Sequence, residues 1–185
     1  MILVVDMNCK RDSLGYYEFV MPIVEVVKPL GDCVVKHYLD ITAQDLSLCG
    51  TVILSGTPLK DTATLKQPEK FRWLKETDRP VLGVCAGMET IGVVYGAEVR
   101  RCVEIGMTQI STVQDNQLFQ GDFRAYSLHS VCVDLGGEFE VLAKSAQCIQ
   151  AFKLRDRRIY GTLFHPEVRN PEIIKKFLQF QDRAK

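Results

Sequence analysis

The sequence predicts an α/β protein with a mostly parallel central sheet, helices on both sides and antiparallel strands added to the core. Two observations support this class. Up to about residue 95, short apolar segments alternate with segments of helical periodicity, a pattern typical of parallel sheets. From about residue 98 to residue 164 the segments are mostly strand-like, which indicates antiparallel or mixed strands beside the parallel ones.

The first half supplies the parallel strands and their helices. Apolar and β-branched residues predict strands at 2–6, 33–38, 51–55 and 80–84. Helical spacing predicts helices at 13–27, 68–76 and 86–95. Pro68 fits the first turn of the second helix, whereas Pro22 argues against a regular helix through the middle of the first.

The second half supplies the added strands and a closing helix. Strand-like runs occupy 107–113, 126–135, 139–145, 148–154 and 158–164. Asn170 is a suitable cap for a last helix, with Pro171 in its first turn. The apolar residues of that helix fall on one face: Ile173, Ile174, Phe177 and Leu178.

Length and composition indicate one domain, residues 1–185, of ordinary polarity. Hydrophobic residues make up 46% and charged residues 25% of the chain. Lys plus Arg balances Asp plus Glu, 23 against 23, so no nucleic-acid partner is expected. No apolar run approaches the ~20 residues that span a bilayer, and the segment MILVVD is too short for a signal peptide. We therefore expect a cytoplasmic protein with no membrane association.

Seven cysteines are scattered along the chain, and none has the Cys-x-x-Cys spacing of zinc ribbons or thioredoxins. The odd number and the scatter fit a reducing compartment. We expect no metal site and no cofactor, and all the cysteines except Cys85 are interpreted as core or incidental thiols. His37 is expected to face solvent.

Cys85 differs from the other cysteines in its neighbours. Residues 83–87 read Gly-Val-Cys-Ala-Gly between a predicted strand and a predicted helix. This pattern is typical of a nucleophile elbow, a tight turn that presents a nucleophile at the carboxyl edge of a sheet. Gly83 and Gly87 let the flanking chain approach closely, and the helix N-terminus favours a thiolate. Alone, the five residues fit a tight turn with a buried thiol equally well.

A histidine and a glutamate follow the last predicted strand, as His165-Pro166-Glu167. A thiol nucleophile needs a base, and the base needs a third group to orient it. Since Pro166 favours extended geometry at His165, we expect His165 and Glu167 to share one side of an extended chain. Cys85, His165 and Glu167 are therefore the candidate catalytic residues.

Three segments together resemble the class I glutamine amidotransferases: LSGTP at 54–58, GVCAGMET at 83–90 and GTLFHPEV at 161–168. His165 follows Cys85 by 80 residues, in agreement with that family, and the resemblance covers nearly the whole chain. Within the family, the sequence is most similar to the separate glutaminase subunits of archaeal GMP synthases. The resemblance implies the flavodoxin-like fold of the class I amidotransferases.

The resemblance also implies a reaction. The thiolate of Cys85 attacks the side-chain amide of glutamine, His165 protonates the departing ammonia, and water hydrolyses the thioester. Backbone N–H groups of Ala86 and of the Gly56–Thr57 turn would hold the oxyanion. The ammonia would pass to a synthetase partner. The identity of the ammonia acceptor and the oligomeric state are not indicated.

Three positions depart from the family pattern. The family's Gly-Gly-Pro is Gly56-Thr57-Pro58 here, and threonine resists a positive φ. The usual glutamine after the elbow is Glu89, whose carboxylate would add negative charge to the substrate pocket. The Ser-His-x-Asp pattern of GMP synthases is replaced by Leu-His-Ser-Val at 128–131. Glu89, His129 and Ser130 are the candidate substrate-binding residues, and the Glu-Ile-Gly at 104–106 is expected to start a strand near the pocket.

These departures leave two alternatives to a glutaminase. One is a γ-glutamyl peptidase or hydrolase that uses the same three catalytic residues, because some γ-glutamyl hydrolases carry glutamate at the position of Glu89. The other is a catalytically degenerate member of the family that serves in binding. The first alternative would act on a γ-glutamyl compound, and the second would catalyse no reaction.

Overall fold

One nine-stranded sheet runs through the part of the chain that the structure, a computed structural model, describes: residues 1–182 for the backbone. The strands are β1 (Ile2–Asp6), β2 (Cys33–His37), β3 (Thr51–Leu54), β4 (Val81–Val84), β5 (Glu98–Thr112), β6 (Asp122–Asp134), β7 (Phe139–Lys144), β8 (Ile149–Leu154) and β9 (Ile159–Thr162). Their order across the sheet is β2-β1-β3-β4-β9-β8-β7-β5-β6.

The helices lie between these strands and after the last one. They are α1 (Met21–Val27), α2 (Ala43–Leu48), α3 (Trp73–Glu76), α4 (Ala86–Val94), α5 (Pro166–Arg169) and α6 (Glu172–Asp182). Short 3-10 turns at Lys28–Leu30, Tyr38–Asp40, Thr64–Lys66 and Pro68–Phe71 complete the helical segments.

The five strands β2, β1, β3, β4 and β9 pair in parallel. Both faces of these strands are covered, which explains why the sequence of β1 is continuously apolar. Ile2 and Val4 pack in a core with α1 and α6, while Leu3 and Val5 pack in a second core with α3 and α4. Both faces of the parallel half are therefore buried, as the strand–helix alternation predicts.

The remaining strands pair in antiparallel fashion, so the predicted mixed sheet is confirmed. The long hairpin of β5 and β6 has a register shift between Arg101 and Glu104. Glu104 therefore lies inside β5, next to this irregularity, and the expectation that residues 104–106 start a strand is wrong.

Two predicted helices are less regular than their periodicity indicated. The segment 13–27 forms a π-helical turn, Tyr16–Val20, followed by α1, and Pro22 occupies the first turn of α1. The segment 68–76 is a 3-10 turn, Pro68–Phe71, followed by the four-residue α3. The closing helix is confirmed as α6, which begins at Glu172.

His37 is buried, contrary to the expectation that it faces solvent. It ends β2, and its Nε2 lies 2.7 Å from the carbonyl oxygen of Asn8. Its Nδ1 accepts the N–H of Leu39 at 3.3 Å and so caps the following turn. The alternation of apolar and polar residues along a short strand does not predict hydrogen bonds of this kind between a side chain and the nearby backbone.

Within residues 1–182, no helix combines the length and the apolar character needed to cross a lipid bilayer.

The packing of α6 gives a first test of the fold. Phe177 is fully buried against the parallel strands, with its ring edge-to-face to Tyr160. We expect Phe177→Ala to lower the free energy of unfolding by about 3–5 kcal/mol, because the substitution leaves a cavity. Leu14→Ala, at a position 79% exposed, should change it by less than about 0.5 kcal/mol. Urea denaturation of both variants measures the difference, and equal stabilities would contradict the packing of α6.

Candidate active site

Cys85 lies in the turn between β4 and α4, at the carboxyl end of the parallel strands. Its backbone has φ 49° and ψ −107°, and within the described chain only Asp12 is another non-glycine residue with positive φ. The Cys85 N–H donates to the carbonyl of Thr162 at 2.8 Å, and the Glu89 N–H donates to the carbonyl of Cys85 at 3.0 Å. These two hydrogen bonds hold a conformation that a side chain rarely adopts, as in a nucleophile elbow.

The glycines on either side of Cys85 make this turn sterically feasible. A Cβ at Gly83 would lie 2.5 Å from the carbonyl carbon of Gly87. A Cβ at Gly87 would lie 2.6 Å from the carbonyl oxygen of Leu54 in β3. Real Cβ atoms do not approach so closely, so both positions require glycine, as the Gly-x-Cys-x-Gly pattern predicts.

His165 and Glu167 form a buried pair beside the elbow. Nδ1 of His165 lies 2.7 Å from Oε1 of Glu167, and both side chains are at most 1% exposed. The carboxylate accepts a hydrogen bond from the N–H at Nδ1. Nε2 is then the ring nitrogen that can take the proton of a thiol. Nε2 has no hydrogen-bond partner of regular geometry among the described residues.

The backbone around this pair differs from the expected extended chain. His165 is extended, with φ −99° and ψ 90°, but Pro166 begins α5 and Glu167 lies in its first turn. The expectation that both residues lie on an extended strand is therefore wrong for Glu167. The N–H of His165 donates to the carbonyl of Tyr126 in β6 at 2.8 Å, which fixes the histidine between two parts of the sheet.

Gly56 leaves space for the imidazole of His165. A Cβ on Gly56 would lie 2.8 Å from Cε1 of the ring. Neither Gly56 nor Thr57 has a positive φ, so the turn avoids the conformation that threonine resists. Thr57 is buried, and its hydroxyl donates to the carbonyl of Asp61 at 3.0 Å. Ala86 is the first residue of α4, where a backbone N–H has no partner inside the helix.

Burial sets the charges of the catalytic groups. It raises the pKa of the Cys85 thiol, and the nearby His165 only partly offsets this effect. Burial alone would lower the pKa of His165, but the charges of Cys85 and Glu167 raise it well above its ordinary value. The thiol also points to the carbonyl of Leu128, at 3.6 Å. The helix N-terminus therefore does not by itself make Cys85 a thiolate at rest, and His165 is placed to take the proton.

Glu89 lies on α4 one turn after Cys85 and is 5% exposed. Burial raises its pKa to about 8, although the charge of His165 acts in the opposite direction. At neutral pH the side chain is therefore mostly protonated. The expectation of an additional negative charge in the pocket is therefore wrong at this pH. A neutral carboxyl can both donate and accept hydrogen bonds, as a glutamine amide does.

The three candidate substrate-binding residues line one pocket with Cys85. The lining includes Thr57, Cys85, Glu89, His129 and Ser130. The space measures about 10 Å³, which is enough for roughly one water molecule. The hydroxyl of Ser130 donates to the carbonyl of Leu59 at 3.0 Å and so ties β6 to the loop that follows β3. The pocket is closed in this conformation.

The ring of His129 is occupied by the protein interior. Its Nδ1 lies 3.1 Å from the carbonyl of Cys102, and its Nε2 lies 3.1 Å from Oε2 of Glu104. Both nitrogens are therefore engaged before any substrate binds.

Three further groups at the site were not identified from the sequence: the carbonyls of Tyr126, Leu128 and Leu59. Since every residue has a carbonyl, residue type gives no signal for these contacts. Tyr126 and Leu128 reach the site because β6 lies beside it, and Leu59 reaches it through the loop that follows β3.

Comparison with known proteins identifies similar sequences over most of the chain. The family model "Glutamine amidotransferase class-I" matches residues 17–180. A glutamine-hydrolyzing GMP synthase subunit from Methanococcus maripaludis is 38% identical over 68% of this chain and 70% of its own length. The subunit of the same name from Thermoplasma acidophilum is 30% identical over 72% of this chain and 70% of its own length.

Two solved structures have the same fold. A protein from Thermoplasma acidophilum, described as a candidate GMP synthase subunit, superposes with a TM-score of 0.84 at 24% identity. The match covers 98% of this chain and 94% of that one. A glutamine amidotransferase from Thermotoga maritima superposes with a TM-score of 0.67 at 20% identity, over 98% and 82% of the two chains.

The close backbone contact at Gly87 can be tested by adding a methyl group. Gly87→Ala should lower the free energy of unfolding by about 1–3 kcal/mol, because the Cβ would overlap the backbone of Leu54. Gly136→Ala is the matched control, since nothing described lies within 4 Å of a Cβ at Gly136. Chemical denaturation compares the two variants. If both were as stable as the parent protein, the elbow would not be as tight as described.

The protonation of Glu89 gives a pH-dependent prediction. In the unfolded chain its carboxyl ionises near pH 4.5, but in the folded chain only near pH 8. Between these values the folded state holds an additional proton, so its stability falls as pH rises. Glu89→Gln should remove this loss, and its advantage in unfolding free energy should grow from pH 5 to pH 8 by an amount on the order of several kcal/mol.

Denaturation midpoints measured at several pH values check this expectation. Glu69→Gln, at an exposed position, is the control and should show no comparable rise. A constant difference between Glu89→Gln and the parent protein would mean that Glu89 is ionised in the folded chain.

Proposed function

The chain belongs to the class I glutamine amidotransferase family, and we propose that it is the glutaminase subunit of a GMP synthase that passes ammonia to a separate synthetase subunit. The observation that supports this most directly is that Cys85, in its strained turn, interacts with His165 of the buried His165–Glu167 pair. The similarity of the chain to proteins named as glutamine-hydrolyzing GMP synthase subunits supports the assignment to this synthase. We propose that residues 1–185 act as one amidotransferase domain.

The first half of the reaction forms a thioester. His165 takes the thiol proton at Nε2, and the Cys85 sulfur attacks the side-chain carbonyl carbon of glutamine. The N–H of Ala86 and the Gly56–Thr57 turn hold the developing oxyanion. The imidazolium then gives its proton to the amide nitrogen, the C–N bond breaks and ammonia leaves. Glu167 keeps the ring in the required orientation and stabilises its positive charge.

The second half releases glutamate. Water enters, His165 takes one of its protons, and the hydroxide attacks the thioester carbonyl. The C–S bond breaks and the proton returns to the sulfur, which restores the neutral buried thiol. Glu89, His129 and Ser130 shape the pocket that holds the substrate. In its neutral form, Glu89 can donate a hydrogen bond where a carboxylate could only repel the substrate carboxylate.

The closed pocket supports a role for a partner. A space of about 10 Å³ is too small for glutamine, so we infer that the pocket widens when substrate binds. The hydrogen bond between Ser130 and Leu59 spans the pocket wall between β6 and the loop after β3. Docking of a synthetase subunit can supply the energy for this opening, as in enzymes whose sites assemble on binding.

Glu89 favours one second candidate, a γ-glutamyl hydrolase with the same three catalytic residues. Its support is the resemblance at this position, where some γ-glutamyl hydrolases carry glutamate. The leaving group would then be an amine larger than ammonia.

Ammonia release from glutamine tests the proposal. We expect slow turnover by the isolated chain and an increase of at least tenfold when the synthetase subunit of a GMP synthase is added with its nucleotide substrates. Cys85→Ala should abolish turnover under both conditions, while Cys49→Ala, which removes a buried thiol outside the site, should retain it.

Two results would contradict the glutaminase assignment. Turnover that survives in Cys85→Ala would exclude Cys85 as the nucleophile. Hydrolysis of γ-glutamyl-p-nitroanilide, with no ammonia from glutamine even when the synthetase subunit is present, would favour the γ-glutamyl hydrolase.

A further inference from the structure

A cluster of buried metal-ligating side chains lies behind the pocket, where β5 and β6 meet the turn before β8. It consists of three thiols, a carboxylate and an imidazole: Cys102, Glu104, His129, Cys132 and Cys148. Each member is at most 7% exposed. No member other than His129 lines the catalytic pocket, so the proposed glutaminase reaction does not account for the cluster.

The ligand atoms form two groups of three that share the sulfur of Cys102. The three sulfur atoms lie within 4.8 Å of one another, and the sulfur of Cys102 is equally near to ligand atoms of Glu104 and His129. Oε2 of Glu104 lies 3.4 Å from the sulfur of Cys148. Around tetrahedral zinc, with ligand distances of about 2.0–2.3 Å, neighbouring ligands are roughly 3.5–3.8 Å apart. Zinc binding would therefore require the three sulfur atoms and Oε2 of Glu104 to move closer together.

Hydrogen bonds hold the carboxylate of Glu104 in place. Its Oε2 accepts from Gln150 Nε2 at 2.6 Å and from the hydroxyl of Ser145 at 3.2 Å. Nε2 of His129 lies 3.1 Å from the same oxygen. Such supporting hydrogen bonds are typical of the residues around metal ligands.

Gln150 also indicates where negative charge can reside. Its Nε2 lies 3.2 Å from the sulfur of Cys148 as well as 2.6 Å from Glu104. One buried amide thus directs its N–H groups at both a carboxylate and a sulfur. An N–H of this kind stabilises a thiolate better than a neutral thiol.

Apolar packing is the ordinary explanation for buried cysteines. It does not explain why thiols from β5, β6 and the turn before β8 converge on a carboxylate surrounded by donors. A coordinated cation binds the thiolate form of such cysteines and displaces their protons.

We propose that Cys102, Cys132, Cys148 and Glu104 bind one Zn²⁺ ion in a closed tetrahedral site. Thiolate ligands favour a soft or borderline cation over Mg²⁺ or Ca²⁺. With four protein ligands the ion has no open position, so its role is structural. His129 joins the site to the pocket wall, because the same ring that contacts Glu104 lines the catalytic pocket.

Zinc titration of the full chain tests this site. The protein is reduced, freed of metal with a chelator that is then removed, and titrated with Zn²⁺ in competition with a chromogenic chelator. We expect one equivalent per chain, and at least a tenfold weaker affinity in Cys148→Ser and in Cys132→Ser. Cys49→Ser and Cys85→Ser, which change buried thiols outside the cluster, should bind as the parent protein does.

Cobalt gives a second measurement that does not depend on the folding of a variant. Co²⁺ bound to the parent protein should show the visible spectrum of a tetrahedral site and sulfur-to-cobalt charge transfer of the strength given by three thiolates. Binding of less than half an equivalent of Zn²⁺, or equal affinity in a folded Cys148→Ser, would overturn the proposal. A cobalt spectrum without thiolate charge transfer would overturn it as well.

Discussion

The close contact between the backbones of β3, β4 and α4 is the constraint on which the site depends. The chain reverses direction at Cys85 within the space that Gly83 and Gly87 leave free, against the backbone of Leu54. A side chain at either glycine would separate strand from helix, and the sulfur would no longer stand above the carboxyl edge of the sheet. The strain of the positive φ at Cys85 is tolerated because the hydrogen bond to Thr162 and the packing of α4 oppose its relaxation.

Exclusion of water is the second physical factor at the site, and it affects each titratable group differently. Burial favours a neutral thiol at Cys85 and a neutral carboxyl at Glu89. The pKa of His165 is raised because the charge of the Cys85 thiolate, when it forms, and that of Glu167 outweigh the effect of burial. The pKa shifts of Cys85 and His165 therefore depend on each other, because the proton that leaves the thiol is taken up by the imidazole beside it.

The sequence predicts the features of this site that depend on local pattern. The apolar runs give the parallel strands, and the Gly-x-Cys-x-Gly pattern gives the elbow. The positions of Cys85 and His165 after predicted strands place both at one edge of the sheet. The predicted extended chain through Glu167 is wrong, since Pro166 starts a helical turn as readily as it continues a strand.

Features that depend on three-dimensional surroundings could not be predicted in this way. The protonation of Glu89 follows from its burial, and a periodic pattern does not indicate the dielectric around one side chain. The closing contact between Ser130 and Leu59 joins residues 71 positions apart. The cluster around Glu104 has no sequence signature, because its cysteines come from three segments that only the strand order β8-β7-β5-β6 brings together.

The adjacency of β4 and β9 has a consequence for how such a chain can diversify. Cys85 and His165 follow neighbouring strands, in which Val84 pairs with Thr162, so one interstrand spacing sets their separation. The segment between these strands leaves the parallel sheet, builds the antiparallel hairpins and returns. Insertions at the exposed turn of Gly136 and Gly137, between β6 and β7, would lengthen this excursion without moving either strand. The catalytic distance is thereby insulated from changes of length at that turn.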